Sequence, residues 1–132
     1  MSYDKRAFFN SILSVRLRVK EEDLNKAITI FKLKFKDKSQ SWIRRCIRRL
    51  IDISASPKPN TWIVRGRPIL GDYEAFYIIT LHRRDGKYSC TCYDPKKLFG
   101  YRRMKDICTH VGAVILWRMI KEKSIDDFIY YK

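Results

Sequence analysis

Three of the four cysteines and one of the two histidines fall between residues 90 and 110. Cys90 and Cys92 form one pair, Cys108 and His110 form a second, and fifteen residues separate the pairs. Thiolate sulfur and imidazole nitrogen are donors that zinc prefers, and three Cys with one His is a usual closed tetrahedral set. The spacing therefore predicts one structural Zn²⁺ ion held by Cys90, Cys92, Cys108 and His110.

The first pair is expected on a strand, where residues two apart point to the same face. Residues 61–66 and 73–82 alternate with period two, and Asp85-Gly86 is a strong two-residue hairpin signal before KYSCTC. With that turn as the pivot, Leu81 pairs with Cys90 and Ile79 with Cys92. We therefore predict that the zinc site begins at the end of a β-hairpin.

The second pair is expected at the start of a helix. Residues two apart on a helix diverge by about 200°, so Cys108 and His110 converge only if Cys108 is at the cap and His110 in the first turn. The exposed N–H groups and the positive end of the helix dipole favour a thiolate there. The apolar run HVGAVILWRMI predicts that this helix is buried.

The order C-x-C, fifteen residues, C-x-H and then Val111-Gly112-Ala113-Val114 resembles the SWIM zinc finger, a ββα unit. The resemblance covers about residues 60 to 120 and carries the metal-ligand role onto the two pairs alone. SWIM fingers occur in transposases, remodelling ATPases and small subunits of recombination-mediator (Shu-type) complexes. The chain is closest to the third group in size, which implies an accessory role in DNA recombination or repair and a recombinase-like protein partner.

Other uses of the cysteines stay open at this stage. A Cys90–Cys108 disulfide is one alternative, whereas the spacing matches none of the common iron–sulfur patterns. Cys46 lies on the apolar side of its predicted helix, so we expect a buried thiol. His82 is out of phase with Leu81 and is expected outside the site.

Catalysis is not expected. Four protein donors leave no coordination position for an activated water, and the chain contains no P-loop, nucleophile elbow or Gly-rich dinucleotide turn. We therefore predict no catalytic residue, no enzyme activity and no small-molecule substrate.

Charge points to a polyanionic partner. The chain has 29 Lys and Arg against 14 Asp and Glu, a net charge of +15, which favours nucleic acid. Between the metal pairs, cations alternate with aromatic rings, a composition typical of single-strand binding. The loop residues expected to bind are Lys96, Lys97, Phe99, Tyr101, Arg102 and Arg103. The alternative is an aromatic cap over the metal with solvated lysines.

A second basic surface is predicted on the segment SQSWIRRCIRRLIDIS. Its apolar residues share one helical side, and the opposite side holds Arg44, Arg45, Arg48 and Arg49. Arginine suits phosphate contacts, but it is also enriched at protein interfaces, and a basic amphipathic helix can lie on a membrane. Bulky aromatics are absent from the polar side, which argues against a membrane.

The turn-rich segment SASPKPN divides the chain into residues 1–56, a helical region, and residues 57–132, the finger with its C-terminal helix. We expect the two regions to form one cooperative unit. One apolar stripe in the first region contains Phe8, Ile12, Val15 and Val19, and a second contains Leu24, Ala27, Ile28, Phe31 and Phe35. VRLRVK and FKLKFK also fit strands. The predicted fold class is α+β: N-terminal helices packed on a zinc-stabilised ββα finger with a small antiparallel sheet.

These expectations combine into one leading hypothesis, a zinc-stabilised nucleic-acid-binding module with single-strand preference that acts in DNA recombination or repair, with DNA favoured over RNA. The alternative is an adaptor that docks a partner such as a recombinase paralogue. The chain shows no signal peptide, and its longest apolar run is shorter than the roughly 20 residues that a bilayer requires. A cytoplasmic protein, associated with the nucleoid or located in the nucleus, is therefore expected.

Overall fold

The computed structural model of the chain describes residues 5–84, 86–92 and 107–123. Three helices come first, α1 (Lys5–Leu17), α2 (Glu21–Lys34) and α3 (Gln40–Arg48), and a 3₁₀ turn (Arg49–Asp52) joins α3 to the sheet. The strands are β1 (Ile53–Ala55), β2 (Thr61–Arg65), β3 (Phe76–His82) and β4 (Lys87–Cys90). A further 3₁₀ turn (Pro68–Leu70) lies between β2 and β3, and helix α4 (Thr109–Lys121) is the last element of the described residues. The predicted α+β class is confirmed.

The sheet is an antiparallel meander with strand order β1-β2-β3-β4. Because side chains alternate along a strand, Val64 and Ile79 lie on the buried face, whereas Phe76 and Ile78 lie on the exposed face. The segment predicted as a regional boundary forms the connection between β1 and β2, where the Ser56 N–H donates to the Thr61 carbonyl. The helical region and the finger therefore share one sheet.

Helix α4 lies between two layers. It contacts α2 and α3 as well as all four strands, and its residues from Thr109 to Leu116 are all buried. The predicted buried C-terminal helix is confirmed. Its buried Arg118 donates to the Tyr88 hydroxyl at 2.7 Å and lies over the Trp62 ring, so that its charge has partners inside the core.

The first helix buries a different stripe from the predicted one. Leu13 and Leu17 are buried, whereas Ile12 is 44% exposed and Val15 is 75% exposed. Both stripes have helical spacing, and packing against α2 selects the leucines. Helices also replace the strands that the alternating segments allowed, because α1 continues to Leu17 and α2 to Lys34.

The β3–β4 register differs from the prediction by two residues. Ile79 is opposite Cys90, and His82 is opposite Lys87, because the connection is four residues long rather than two. Gly86 closes it with φ 68° and donates its N–H to the His82 carbonyl. A shift of two preserves the faces of a strand, so Cys90 still points inward.

None of the helices in the described part of the chain has both the length and the hydrophobicity needed to span a bilayer.

The close packing of α3 on α4 at Gly112 generates the first prediction. A Cβ at this position would lie 2.6 Å from Trp42 Cη2 and 2.7 Å from Cys46 Sγ, and Trp42 is held because its Nε1 donates to the Ile107 carbonyl. Gly-to-Ala changes inside a helix normally stabilise it by about 0.5–1 kcal/mol. Here we expect Gly112→Ala to lower the free energy of unfolding by about 1–3 kcal/mol through overpacking.

Denaturant unfolding of Gly112→Ala measures the sign of the effect. In a Cys46→Ala background the clash with Sγ is absent. Adding Gly112→Ala to Cys46→Ala should therefore lower the free energy of unfolding by less than Gly112→Ala lowers it in the parent protein. A single Gly112→Ala variant as stable as the parent would contradict this packing argument.

Candidate metal centre

The four predicted ligand residues converge. Cys90 is the last residue of β4, Cys92 lies two residues beyond it, Cys108 caps α4 and His110 is in the first turn. One donor atom from each residue lies within 4.8 Å of the other three. Cys92 lies in a turn rather than on the strand, so the strand brings only Cys90 to the cluster and the turn brings Cys92. The cluster could hold a metal ion.

Cys108 is the N-cap of α4, as predicted. Its backbone is extended, with φ −77° and ψ 165°, and its Sγ accepts a hydrogen bond from the Val111 N–H at 3.4 Å. Burial raises the pKa of the Cys108 thiol, but interactions with Cys90, Cys92 and His110 together lower it more, so that the pKa lies well below its ordinary value. The cap places the Cys108 sulfur at the positive end of the helix dipole, which favours the thiolate form.

The pKa of the Cys90 thiol is shifted in the opposite direction. Its hydrogen bonds to Cys108 and Cys92, together with burial, raise the pKa of its thiol. The Cys92 N–H donates to Cys90 Sγ at 3.5 Å, which ties the two sulfurs of the first pair together. Metal binding here would release thiol protons, because the thiolate is the form of cysteine that binds a metal.

His110 has one satisfied ring nitrogen and one that is not. Its Nε2 donates to Asp72 Oδ1 at 2.9 Å, because a carboxylate can only accept. Within the part of the chain that the structure describes, its buried Nδ1 has no hydrogen-bond partner. An orphaned buried nitrogen is costly unless something binds it. Nδ1 is therefore the atom that His110 offers to a metal.

Asp72 connects His110 to Arg49 and to the backbone of Arg67 through its carboxylate. Its side chain is 3% exposed, and besides His110 it accepts from Arg49 Nη1 and Nη2 at 2.6 and 2.9 Å and from the Arg67 N–H at 2.7 Å. Burial raises the pKa of this carboxyl, but the bonds from Arg49 and Arg67 lower it more, and the net pKa is below its ordinary value. A carboxylate that orients a ligating histidine in this way strengthens metal binding.

Arg49 supplies the positive charge that compensates the buried Asp72 carboxylate. The prediction that it lies on the exposed basic side of α3 is wrong, because it is 1% exposed. At Arg49 the helix tightens into a 3₁₀ turn, and the guanidinium enters the core to meet Asp72 and to donate its Nε–H to Thr109 Oγ1 at 3.0 Å. Arg49 is therefore unavailable to a nucleic acid and supports the metal centre instead.

Tyr77 fixes the imidazole from the side of the sheet. Its ring stacks on His110 with centroids 3.9 Å apart, and its hydroxyl accepts from the backbone N–H groups of Tyr73 and Glu74. These bonds tie β3 to the turn that contains Asp72. The ring orientation of His110 is thus set by a stack and a hydrogen bond at once.

The remaining cysteine and histidine lie outside the cluster, as predicted. Cys46 is fully buried and is a free thiol whose pKa is raised by burial. His82 is exposed and pairs with the Ser89 hydroxyl at 2.9 Å. Among the described residues no disulfide joins Cys90 to Cys108.

Apart from the buried Arg49, the predicted nucleic-acid residues divide into two groups. Lys96, Lys97, Phe99, Tyr101, Arg102 and Arg103 all lie outside the described residues. Arg44, Arg45 and Arg48 are exposed on α3, as their spacing predicts. No ion pair to any of these three arginines occurs within the described ranges.

Sequence reasoning missed Asp72 and Tyr77. Asp72 follows Gly71, which has φ 89°, and a Gly-Asp step predicts only a turn. Nothing in the spacing links this carboxylate to a histidine 38 residues away. The one signal in the sequence was Arg49. It follows the buried Cys46 by three residues and is therefore close to the apolar side of α3, where a cation needs a buried partner.

No family model, curated protein sequence or solved structure matches this chain. The likeness to SWIM fingers therefore depends on the ligand order and on the elements that carry it.

The network beneath His110 generates the second prediction. Asp72→Asn removes the charge that orients His110 and leaves Arg49 buried without a counter-charge. We expect metal affinity to fall by about 10- to 100-fold, as for other carboxylates that support a ligating histidine. Competition with a colorimetric chelator measures the affinity.

Asp52→Asn is the matched control. Asp52 also accepts two hydrogen bonds from an arginine, Arg67, at 2.8 and 2.6 Å, but it does not touch His110. Its replacement should leave metal affinity unchanged. Equal metal affinities for the two variants would contradict the role given to Asp72.

Proposed function

We propose that this chain is a zinc-stabilised nucleic-acid-binding module without catalytic activity. Three thiolates and one imidazole match the donors and the number that a structural Zn²⁺ takes, and soft thiolates disfavour magnesium and calcium. Four protein donors complete a tetrahedron. The metal therefore fixes the hairpin end to the start of α4 and activates no water.

Three unpaired arginines carry the nucleic-acid part of the proposal. Arg44, Arg45 and Arg48 project from α3 into solvent, and no acidic residue occurs in this helix to offset them. In a chain with a net charge of +15, unpaired guanidinium groups on a rigid helix suit bidentate contacts to phosphates. The rigidity comes from α4, on which α3 packs.

The basic, aromatic-rich segment 93–106 lies in the sequence between the predicted ligands Cys92 and Cys108. Ile107, the residue that follows this segment, accepts a hydrogen bond from Trp42 on α3 at 3.1 Å. The described chain therefore resumes beside the arginine-bearing helix. The alternation of cations and rings in segment 93–106 suits single strands, with DNA favoured over RNA.

The likeness to SWIM fingers adds a biological setting to the proposal. Small SWIM subunits work in recombination-mediator complexes, and by that analogy the chain acts as an accessory factor in DNA recombination or repair, with a recombinase-like partner. The alternative is an adaptor that docks such a partner through its finger and its N-terminal helices. A groove between those helices favours a docking role in addition.

The third prediction concerns the metal. We expect one zinc ion per folded chain, and we expect Cys92→Ser to abolish zinc binding and to lower the free energy of unfolding by several kcal/mol, because metal-binding energy is available only to the folded site. Elemental analysis and chelator titration followed by circular dichroism measure both quantities. Cys46→Ala is the matched control and should keep its zinc. Folded protein purified without zinc, or unchanged stability after chelation, would refute the prediction.

The fourth prediction concerns nucleic acid. Replacing Arg44, Arg45 and Arg48 with Ala, or Lys96, Lys97, Arg102 and Arg103 with Ala, should flatten the slope of log affinity against log salt. The expected change is about 0.7 for each phosphate of a single strand that the variant no longer neutralises. Phe99→Ala and Tyr101→Ala should cost about 1–3 kcal/mol of binding if bases stack there, without changing the slope.

Fluorescence anisotropy with a labelled oligonucleotide at several salt concentrations separates these effects. Lys26→Ala is the matched control for Arg45→Ala, because it removes one exposed positive charge from α2. If Arg45→Ala and Lys26→Ala changed the slope equally, net charge alone would drive binding to the oligonucleotide.

A further inference from the structure

A groove of about 720 Å³ runs between α1, α2 and α3, away from the metal centre. Its floor is apolar and includes the buried Leu13, Phe35 and Ile43. Phe9, Ile12 and Ile51 line it as well, although they are 41%, 44% and 39% exposed. The groove therefore leaves apolar surface open to water, where covering it is favourable at about 25 cal/mol per Å².

The rim of the groove has one sign of charge. Six of the side chains that line it are basic and none is acidic: Arg16, Lys32, Lys36, Lys38, Arg44 and Arg48. None of the six forms an ion pair within the described ranges of the chain. The acidic neighbours do not offset them, because Asp52 is bound by Arg67 and Asp37 does not line the groove.

The dimensions of the groove suit a short helix. The groove follows α2 from Ile28 to the end of the helix at Lys34, about 9 Å at 1.5 Å per residue, and continues to Lys36 in the turn beyond. A helix places residues i and i+7 about 10.5 Å apart on one face. Two turns of a bound helix would thus place apolar side chains along the whole floor, as in other helix-in-groove complexes.

Two other occupants would not match both the apolar floor and the basic rim. A nucleic acid would match the rim but leave the isoleucines and phenylalanines of the floor without apolar partners. A second copy of the chain would bring its own basic rim, and like charges facing each other are unfavourable. Only an occupant that is apolar on one face and acidic at its edges matches both floor and rim.

We propose that the groove binds an amphipathic helix of a partner protein, with apolar residues at i, i+3 or i+4 and i+7 and with Asp or Glu on its flanks. Two rim residues, Arg44 and Arg48, also belong to the proposed nucleic-acid surface, but substitution can separate the two activities. Arg45 does not line the groove, and Lys32 and Lys36 are not on α3. Substitutions at these positions therefore distinguish the two activities.

The test uses the full chain with zinc and a labelled 14-residue helical peptide that has Leu on one face and Glu on both flanks. Anisotropy should show saturable binding to the parent protein. Ile12→Glu, which places a charge at the exposed edge of the floor, should weaken binding by about tenfold or more. Lys32→Glu/Lys36→Glu alters only exposed rim residues, keeps the core intact, and should weaken binding to a similar degree.

Matched controls lie on the same helices. Val15 on α1 and Leu33 on α2 are 75% and 68% exposed and do not line the groove, so Val15→Glu and Leu33→Glu should bind the peptide like the parent. Arg45→Glu should likewise leave peptide affinity unchanged while reducing oligonucleotide affinity. Two control peptides, one with Lys flanks and one with a scrambled apolar face, should bind at least tenfold more weakly.

Several outcomes would overturn the proposal. Equal affinity for the acidic and the Lys-flanked peptide would remove the charge argument. Displacement of the peptide by an oligonucleotide whose own affinity falls in Ile12→Glu would assign the groove to nucleic acid. Dimerisation that Ile12→Glu abolishes would assign it to a second copy. A higher peptide affinity after Asp126→Asn/Asp127→Asn would assign it to the chain's own 124–132 segment.

Discussion

The rest of the structure depends on one buried carboxylate. Asp72 accepts four hydrogen bonds, from the end of α3, from the backbone at Arg67 and from the first turn of α4. These groups belong to three separate parts of the chain. The Asp72 carboxylate therefore fixes the relative positions of the helical layer, the turn before β3 and the candidate metal centre. A buried carboxylate is tolerable only when its charge is compensated and its oxygens are bonded, and here both conditions hold.

The charge of Arg49 explains how the metal centre can sit in an apolar core. Three thiolates with a bound divalent cation would carry one net negative charge, and Asp72 adds a second in the same buried region. Arg49 compensates Asp72, so the carboxylate orients His110 without adding net charge beneath the sulfurs. Its Nε–H also bonds Thr109, between the two ligand residues of α4, which makes the first turn of that helix part of the same network.

The sequence was informative where one geometry alone satisfied the chemistry. Cys108 and His110 can converge only from a helix cap and first turn, and the structure has that arrangement. The strand pairing was less determined, because a two-residue and a four-residue turn keep Cys90 on the same face. The α1 stripe was ambiguous for a similar reason, since Leu13 and Ile12 both belong to helically spaced sets.

The support for the site could not be predicted from spacing. Asp72 reaches His110 only after the chain has formed two strands and two turns, and its local sequence indicates a turn and nothing else. Arg49 lies at the edge of the basic stripe that borders the apolar side of α3, and spacing alone does not show that its partner is the Asp72 carboxylate. Long-range electrostatic partners of this kind follow from tertiary packing, which no periodicity encodes.

Trp42 gives the molecule an optical property. Its indole N–H is bonded to the carbonyl of Ile107, directly before the ligand Cys108, and its ring stacks on Phe31 and borders Gly112 at the start of α4. Indole emission changes with the polarity and bonding of its surroundings. Trp42 is one of three tryptophans, so its emission wavelength reports whether the first turn of α4 is in place once Trp62 and Trp117 are replaced by Phe, without any added dye.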